Sequence, residues 1–213
     1  MPVSTAESRL VNAPPAVRQM WLAVADAHTD ATRHMERLHA VKDADDYCQT
    51  LAAYFGWQDS AETLLLRFDW SPTQWDPRTL TRLDGLHQDL LDLGVSSAQQ
   101  AALPRCRLPE INTLAEAVGL AMVLLGSTLG AQKMHRWVRD RLPEAPVRFF
   151  ATPVRTSWRD FGAMTERALP TAQQRAAAAS AAARTMHAFV SWAETWASGN
   201  VQSPIREEVK QVA

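Results

Sequence analysis

Apolar residues recur along most of the chain at spacings of three and four, the period of an amphipathic helix rather than of a strand. Prolines, glycines and capping residues divide this pattern into six predicted helices. They run from Pro15 to about Ala40, from Asp43 as N-cap to about Arg67, from Asp76 as N-cap to Gly94, from Thr113 to about Leu142, from Thr156 to about Leu169, and from Thr171 to just before Gly199. No segment alternates as a strand does, so the sequence predicts an all-α multi-helix bundle.

The length and composition fit one compact domain. The chain has 213 residues, of which 46% are hydrophobic, enough for one core but too few for a safe division into two. We expect a helical domain over residues 15–198, with a loose N-terminal extension over 1–14 and a loose tail over 199–213.

The charges are nearly balanced, with 22 lysines and arginines against 23 aspartates and glutamates. Such a chain has no net field to attract nucleic acid or an anionic membrane. The two cysteines, Cys48 and Cys106, are far apart, and the N-terminus lacks the pattern of a secretory signal, so we expect a cytoplasmic protein. The longest uncharged run, residues 117–132, is 16 residues long and is expected to be a buried helix.

A histidine on the first predicted helix is the first candidate for chemistry. His28 shares a face with Trp21, Val24 and Met35, so its imidazole is expected to point into the core. A buried neutral imidazole can bind iron axially, although a hydrogen-bonded core histidine is the commoner reason for this placement. His34 lies on a more mixed face of the same helix.

The apolar fourth predicted helix contains three glycines, Gly119, Gly126 and Gly130, and each costs about 1 kcal/mol relative to alanine. Gly126 and Gly130 lie four residues apart, with Ser127 and Ala131 beside them, so this segment offers a surface almost without side chains. A flat ligand could lie against it, but close helix packing explains it equally well. Six tryptophans in helical patterns are expected to line the interior: Trp21, Trp57, Trp137, Trp158, Trp192 and Trp196.

A basic stretch follows the glycines: Lys133, Arg136, Arg139, Arg141, Arg148, Arg155 and Arg159. Arginines at a pocket mouth would bind ligand carboxylates, and a solvated face with ordinary ion pairs is the competing explanation for most of them. A di-iron carboxylate site is disfavoured, because Glu36–His39 is the one Glu-x-x-His motif and Asp84–His87 only loosely resembles it. Hydrolase and nucleotide-binding motifs are absent from the sequence.

Several segments resemble the haem (heme) oxygenase family, specifically its bacterial, phytochrome-associated, biliverdin-producing branch. Residues 124–132, Leu-Leu-Gly-Ser-Thr-Leu-Gly-Ala-Gln, are similar to the signature of the family's distal helix. The segments Asp46-Tyr47 and Leu51–Gly56 resemble its second helix, and residues 148–150 and 158–161 resemble its later Phe-Phe and Trp-Arg-x-Phe segments. The similarity covers about Leu22 to Trp196 and implies the family's helical fold.

The resemblance implies that haem is both substrate and cofactor and is opened to biliverdin, with release of iron and carbon monoxide. It places His28 at the proximal iron ligand, with His34 as the alternative under a shifted alignment. The distal catalytic segment would comprise Gly126, Ser127, Gly130 and Ala131. Arg159 would contact a haem propionate, and Met122 would contact haem at a position where bacterial relatives often carry tyrosine.

Partners follow from the same resemblance. The sequence shows no nicotinamide or flavin motif, so electrons would come from a ferredoxin or another reductase, and a bacteriophytochrome would receive the biliverdin. The alternative function is a non-enzymatic haem-binding or haem-delivery bundle of the same fold.

Overall fold

The computed structural model describes residues 13–38, 41–199, 201 and 205, without the side chains of residues 34 and 36–38. Most of the expected N-terminal extension (1–14) and C-terminal tail (199–213) lies outside the described residues.

Eight α-helices form the described part of the chain, and no strand occurs within it. In chain order they are α1 Pro15–Leu38, α2 Ala44–Leu65, α3 Leu83–Asp92, α4 Ser97–Ala102, α5 Leu114–Arg141, α6 Arg148–Ala151, α7 Trp158–Ala168 and α8 Ala172–Ala197. Short 3-10 helices at Ser71–Thr73 and Pro77–Leu80 precede α3. The prediction of an all-α bundle is confirmed.

Short polar side chains start the long helices. Asp43 accepts a hydrogen bond from the Asp46 backbone N–H at 2.9 Å and thereby caps α2. Capping boxes formed by Thr113 with Glu116 and by Thr171 with Gln174 start α5 and α8. These caps satisfy backbone donors that have no partner inside the helix, which is why the sequence located the three starts correctly.

The prediction of the third helix is wrong over the first half of its range. Asp76 caps only the 3-10 helix Pro77–Leu80; Thr81 is then extended, and α3 begins at Leu83. The Glu62 carboxylate, on α2, accepts hydrogen bonds from the backbone N–H groups of Arg82 at 2.7 Å and Leu83 at 3.1 Å. The start of α3 is therefore fixed by a side chain about twenty residues away, a contact that a local pattern does not reveal.

Helix α8 is the shared partner of α1 and α5, which both pack along it but scarcely touch each other. Gly119 allows α5 to approach α8: a Cβ there would lie 2.8 Å from the Ala182 nitrogen and closer still to the Ala178 carbonyl oxygen. Close packing of small residues thus accounts for Gly119. The separation of α1 from α5 leaves room between them.

Helix α5 is long and apolar enough to span a membrane by length and composition, but 61% of its apolar window is buried inside the protein. Its buried residues from Ala115 to Leu125 belong to the core, as the sequence predicted. Of the six tryptophans, Trp57 and Trp196 are buried, and the other four are half-buried against the core.

The buried carboxylate of Asp89 on α3 holds α6 in place. It accepts hydrogen bonds from the backbone N–H groups of Arg148 at 3.0 Å and Phe149 at 2.9 Å. The Arg148 side chain pairs with Asp89 at 3.3 Å and also with Asp92. Burial raises the pKa of Asp89, against the lowering effect of these hydrogen bonds.

Candidate functional site: a cavity between α1 and α5

A cavity of about 330 Å³ lies between α1 and α5. Tyr54 and Trp57 of α2, together with Met186 and Phe189 of α8, complete its walls. The other lining residues come from α1 and α5: Trp21, Val24, His28, Ala31, Thr32, Met35, Met122, Val123, Gly126, Ser127, Gly130, Lys133, Met134 and Trp137. The cavity therefore brings His28, Met122 and most of the glycine segment into one site.

The α1 wall presents His28, but differently from the sequence prediction. The residue is exposed rather than buried in the core, and its ring borders the cavity 6.1 Å from the ring of Trp21, centroid to centroid. Trp21 packs in turn on Trp158, with centroids 5.6 Å apart. No group in the described part of the chain hydrogen-bonds to the imidazole, so either ring nitrogen is available to a ligand.

The α5 wall is opened by two glycines. A Cβ at Gly126 or at Gly130 would meet nothing within 4 Å, in contrast to the tight surroundings of Gly119. The open space beside Gly126 and Gly130 is the cavity, which both residues line. The glycines thus have separate explanations: helix packing for Gly119, and a ligand-sized space for Gly126 and Gly130.

Other predicted members of the site fall in different places. Met122 is buried and lines the cavity, whereas Ala131 is buried in the part of the core that contains Phe149 and Phe150 and does not line the cavity. Arg159 is exposed on α7 and lies outside the lining, so the structure does not bring it to the site. The side chain of His34 lies outside the described residues.

Ser127 connects the cavity to a buried polar network. Its hydroxyl accepts a hydrogen bond from Arg82 Nη2 at 3.1 Å and donates one to the Leu124 carbonyl oxygen at 2.7 Å. A hydroxyl has one proton and two acceptor positions, so Ser127 can accept one further hydrogen bond but has no proton left to donate. It can hold a water molecule in the cavity only as an acceptor.

The network behind Ser127 contains a buried cation, Arg82, and a buried carboxyl group, Glu62. Arg82 is 4% exposed and Glu62 is 4% exposed. Gln58 donates to Glu62 at 2.6 Å, beside the two backbone donors at the start of α3. Burial raises the pKa of Glu62, and the hydrogen bonds and the Arg82 charge offset part of that effect.

Tyr54 adds a protonated phenol to the cavity wall. Burial raises its pKa, and the positive charge of Arg82 lowers it by a smaller amount, so the hydroxyl keeps its proton at neutral pH. Sequence reasoning did not single out Tyr54, Glu62 or Arg82 as site residues. Tyr54 had a signal, since it falls within the segment Leu51–Gly56 that resembles the haem oxygenase second helix.

One residue of the basic stretch reaches the cavity. Lys133 is exposed and lines it, while Arg148 is committed to Asp89 and Asp92. Arg141 lies over the Trp137 ring, 4.6 Å from its centroid. The solvated-face explanation therefore applies to Arg148 and Arg141, and Lys133 is the cation placed to meet a ligand.

Within the described residues, no three histidine, cysteine or acidic side chains cluster closely enough to hold a metal ion. The Glu36 side chain and His39 lie outside that part of the chain, and His87 hydrogen-bonds to Gln100 Oε1 through Nδ1 at 2.6 Å. A haem iron needs one protein ligand, so the criterion of three side chains does not bear on it.

No protein-family model matches this chain, and neither a curated protein nor a solved structure matches it.

Proposed function

We propose that this protein is a haem oxygenase that opens haem to biliverdin with release of iron and carbon monoxide. One observation carries the proposal: His28 on α1 and the open glycines Gly126 and Gly130 on α5 line the same cavity. A histidine and a side-chain-poor helix are the two walls that a planar, iron-containing ligand requires.

The shape and the chemistry of the cavity support haem as its ligand. The volume of about 330 Å³ lies at the lower end of the range for ligand cavities, and the exposed residues at its rim allow a larger ligand to project into solvent. Its methionine and aromatic side chains provide an apolar lining for a flat macrocycle. The unengaged imidazole of His28 supplies a donor nitrogen, and Lys133 supplies a cation for a carboxylate.

Haem, when bound, supplies the iron at which dioxygen is reduced and the ring that is opened. His28 would bind the iron, and the missing side chains at Gly126 and Gly130 would let the α5 backbone approach the opposite face. Met122, Trp57 and Phe189 would exclude bulk water from the inner end. Tyr54 stays protonated in the cavity wall, and Ser127 can accept a hydrogen bond from a water molecule in the cavity, which would orient that water.

The proposal includes a cytoplasmic location, a ferredoxin or another reductase as electron donor, and a bacteriophytochrome as receiver of the product. It does not require a nucleic acid or a membrane. These partners follow from the sequence resemblance and are tested separately from the cavity.

A non-enzymatic haem-binding bundle is the second candidate, and the hydrogen bonding of Ser127 favours it. Ser127 has its proton engaged with Leu124, and the part of the cavity lining that the structure describes contains no carboxylate. A site that binds haem without activating oxygen would need no more than these groups.

Hemin and ascorbate separate the two candidates. Purified protein is mixed with hemin, the Soret band is recorded, and ascorbate is then added in air. A haem oxygenase converts the Soret band into the red absorption of biliverdin. A stable histidine-ligated spectrum that never bleaches supports the binding protein, and the absence of any Soret shift contradicts both.

The iron ligand is tested by comparing His28→Ala with His34→Ala, and His87→Ala serves as a control outside the cavity. We expect only His28→Ala to abolish the histidine-ligated spectrum, because His28 lines the cavity and His87 is bonded to Gln100. If His34→Ala abolishes the spectrum and His28→Ala does not, His28 is the wrong ligand.

A further inference from the structure

Arg82 is a buried charged residue behind the α5 wall of the cavity. It lies between the 3-10 helix Pro77–Leu80 and α3, is 4% exposed, and donates from Nη2 to the hydroxyl of Ser127, a lining residue, at 3.1 Å. Its guanidinium carbon lies 4.6 Å from the ring centroid of Phe149. A charge is seldom buried in this way unless it is paired or has a function.

The Arg82 guanidinium is not paired in the usual way. Among the described residues, no carboxylate oxygen lies within 4.0 Å of its nitrogens, and its buried Nε has no hydrogen-bond partner. Glu62 contacts the backbone N–H of Arg82 and not the side chain. Because arginine stays protonated, this part of the protein retains a positive charge, and its buried Nε donor is unused.

The buried acid that interacts with that charge is Glu62, and burial raises the pKa of its carboxyl, which favours the neutral form. Among the described residues that line the cavity there is no aspartate or glutamate, and Tyr54 keeps its proton. The one other fixed cation at the cavity, Lys133, is exposed, so its field is screened by salt, whereas that of a buried group is screened far less.

We propose that Arg82 makes this cavity selective for ligands that carry negative charge near Ser127, and that it also fixes the orientation of the Ser127 hydroxyl. Arg82 is a positioning residue, since it acts on the ligand through Ser127 and through its field rather than by contact. The inference deepens the proposed function, because it specifies the charge of the ligand that this cavity accepts. It rests on the proposed function to the extent that both concern the same cavity.

The test uses two dyes and no haem. Anilinonaphthalene sulfonate is an apolar aromatic anion, and phenylnaphthylamine is the same molecule without the sulfonate. Both fluoresce when they enter an apolar cavity, so the ratio of their affinities measures charge selectivity. The ratio is measured in about 0.5 M salt, where the Debye length of a few ångströms suppresses the contribution of Lys133.

Four variants separate charge from packing. Arg82→Met removes the charge and keeps an extended side chain, Arg82→Lys keeps the charge, and Ser127→Ala removes the hydrogen bond alone. Lys133→Met is the matched control on the exposed cation. A fifth variant, Gly130→Leu, placed where a Cβ meets open space, fills the cavity and shows that both dyes bind there.

We expect the wild-type protein to prefer the sulfonate dye and Arg82→Met to reduce that preference about tenfold, as loss of a nearby buried charge does at an effective dielectric constant of about 20. Arg82→Lys and Ser127→Ala should keep most of the preference, and Lys133→Met should change it little in high salt. A purely structural role would weaken both dyes equally in Arg82→Met. That result, or failure of both dyes to bind the wild type, overturns the inference.

Failure of the inference and failure of the proposed function are distinguishable. A wild-type protein that binds both dyes equally, or a preference that Arg82→Met leaves unchanged, removes the inference alone if the hemin spectrum is intact. Selective dye binding without a Soret shift removes the haem proposal and leaves the anion-selective cavity.

Discussion

The three glycines of α5 provide a direct test of how the cavity is built. Gly119, Gly126 and Gly130 lie on one helix, yet an alanine methyl group would meet backbone atoms of α8 at the first and open space at the other two. The change to alanine is the smallest that adds a Cβ. The three variants therefore share their chemistry and differ only in surroundings.

The expected magnitudes follow from those surroundings. In a helix interior alanine is about 1 kcal/mol more favourable than glycine, so Gly126→Ala and Gly130→Ala should each raise the free energy of unfolding by about that amount. For a chain of this size that raises Tm by about 2–4 °C. At Gly119 the methyl group must displace the Ala182 nitrogen, 2.8 Å away, and overpacking of this kind costs about 1–3 kcal/mol or more.

Thermal and urea unfolding followed by circular dichroism measure these differences, and hemin titration adds a second readout. We expect Gly126→Ala and Gly130→Ala to stabilise the protein while weakening hemin binding, because the new methyl groups occupy the space left for the ligand. Gly119→Ala should destabilise the protein. If all three variants destabilise it to a similar extent, the open space at Gly126 and Gly130 does not exist and the reasoning is refuted.

Three further variants test the buried polar groups and the helix starts. Glu62→Gln should flatten the pH dependence of stability. Because burial raises the folded-state pKa of Glu62, the folded protein keeps that proton after the unfolded chain has lost it, so wild-type stability falls relative to the variant as pH rises above the usual glutamate pKa of about 4.5; a constant difference would contradict this. Asp89→Ala should lower the free energy of unfolding by about 2–3 kcal/mol, since two backbone N–H groups at the start of α6 lose their acceptor. Asp92→Ala, which removes an exposed carboxylate that also pairs with Arg148, is the control in the same urea titrations. Equal effects of the two changes would argue against the role of burial. Thr113→Ala should cost about 1 kcal/mol by removing the capping box of α5, and an unchanged urea midpoint would be the contrary result.

The helices were largely predictable because their starts depend on contacts within four residues. Asp43, Thr113 and Thr171 bond to backbone groups three residues ahead, and sequence spacing shows such pairs directly. The start of α3 was not predictable, because its cap is Glu62 on another helix. The short helices α4 and α6 lie outside the six helices that the sequence predicted.

The site was predictable where helical period controls it. Gly126, Gly130 and Met122 share a face by their spacing of four, and all three line the cavity. His28 lines the cavity but is exposed, whereas the sequence predicted that it points into the core, since the period of α1 fixes a direction and not the depth of the groove beside α5. Ala131 lies one position off the lining face, and Arg159 is on a helix whose orientation no local pattern sets.

The burial of Arg82 beside the cavity could not be predicted from the sequence, for a physical reason. An arginine between two short helices is ordinarily a solvated surface residue, and only the tertiary packing of α2, α3 and α5 buries it. Its contact with Ser127 spans 45 residues of sequence.

A crystal structure of the protein grown with hemin tests the central claim most directly. The account predicts a porphyrin between α1 and α5, with the imidazole of His28 bonded to iron and the opposite face of the ring against Gly126 and Gly130. A porphyrin bound elsewhere on the surface, or a space between the two helices closed by repacked side chains, would contradict it.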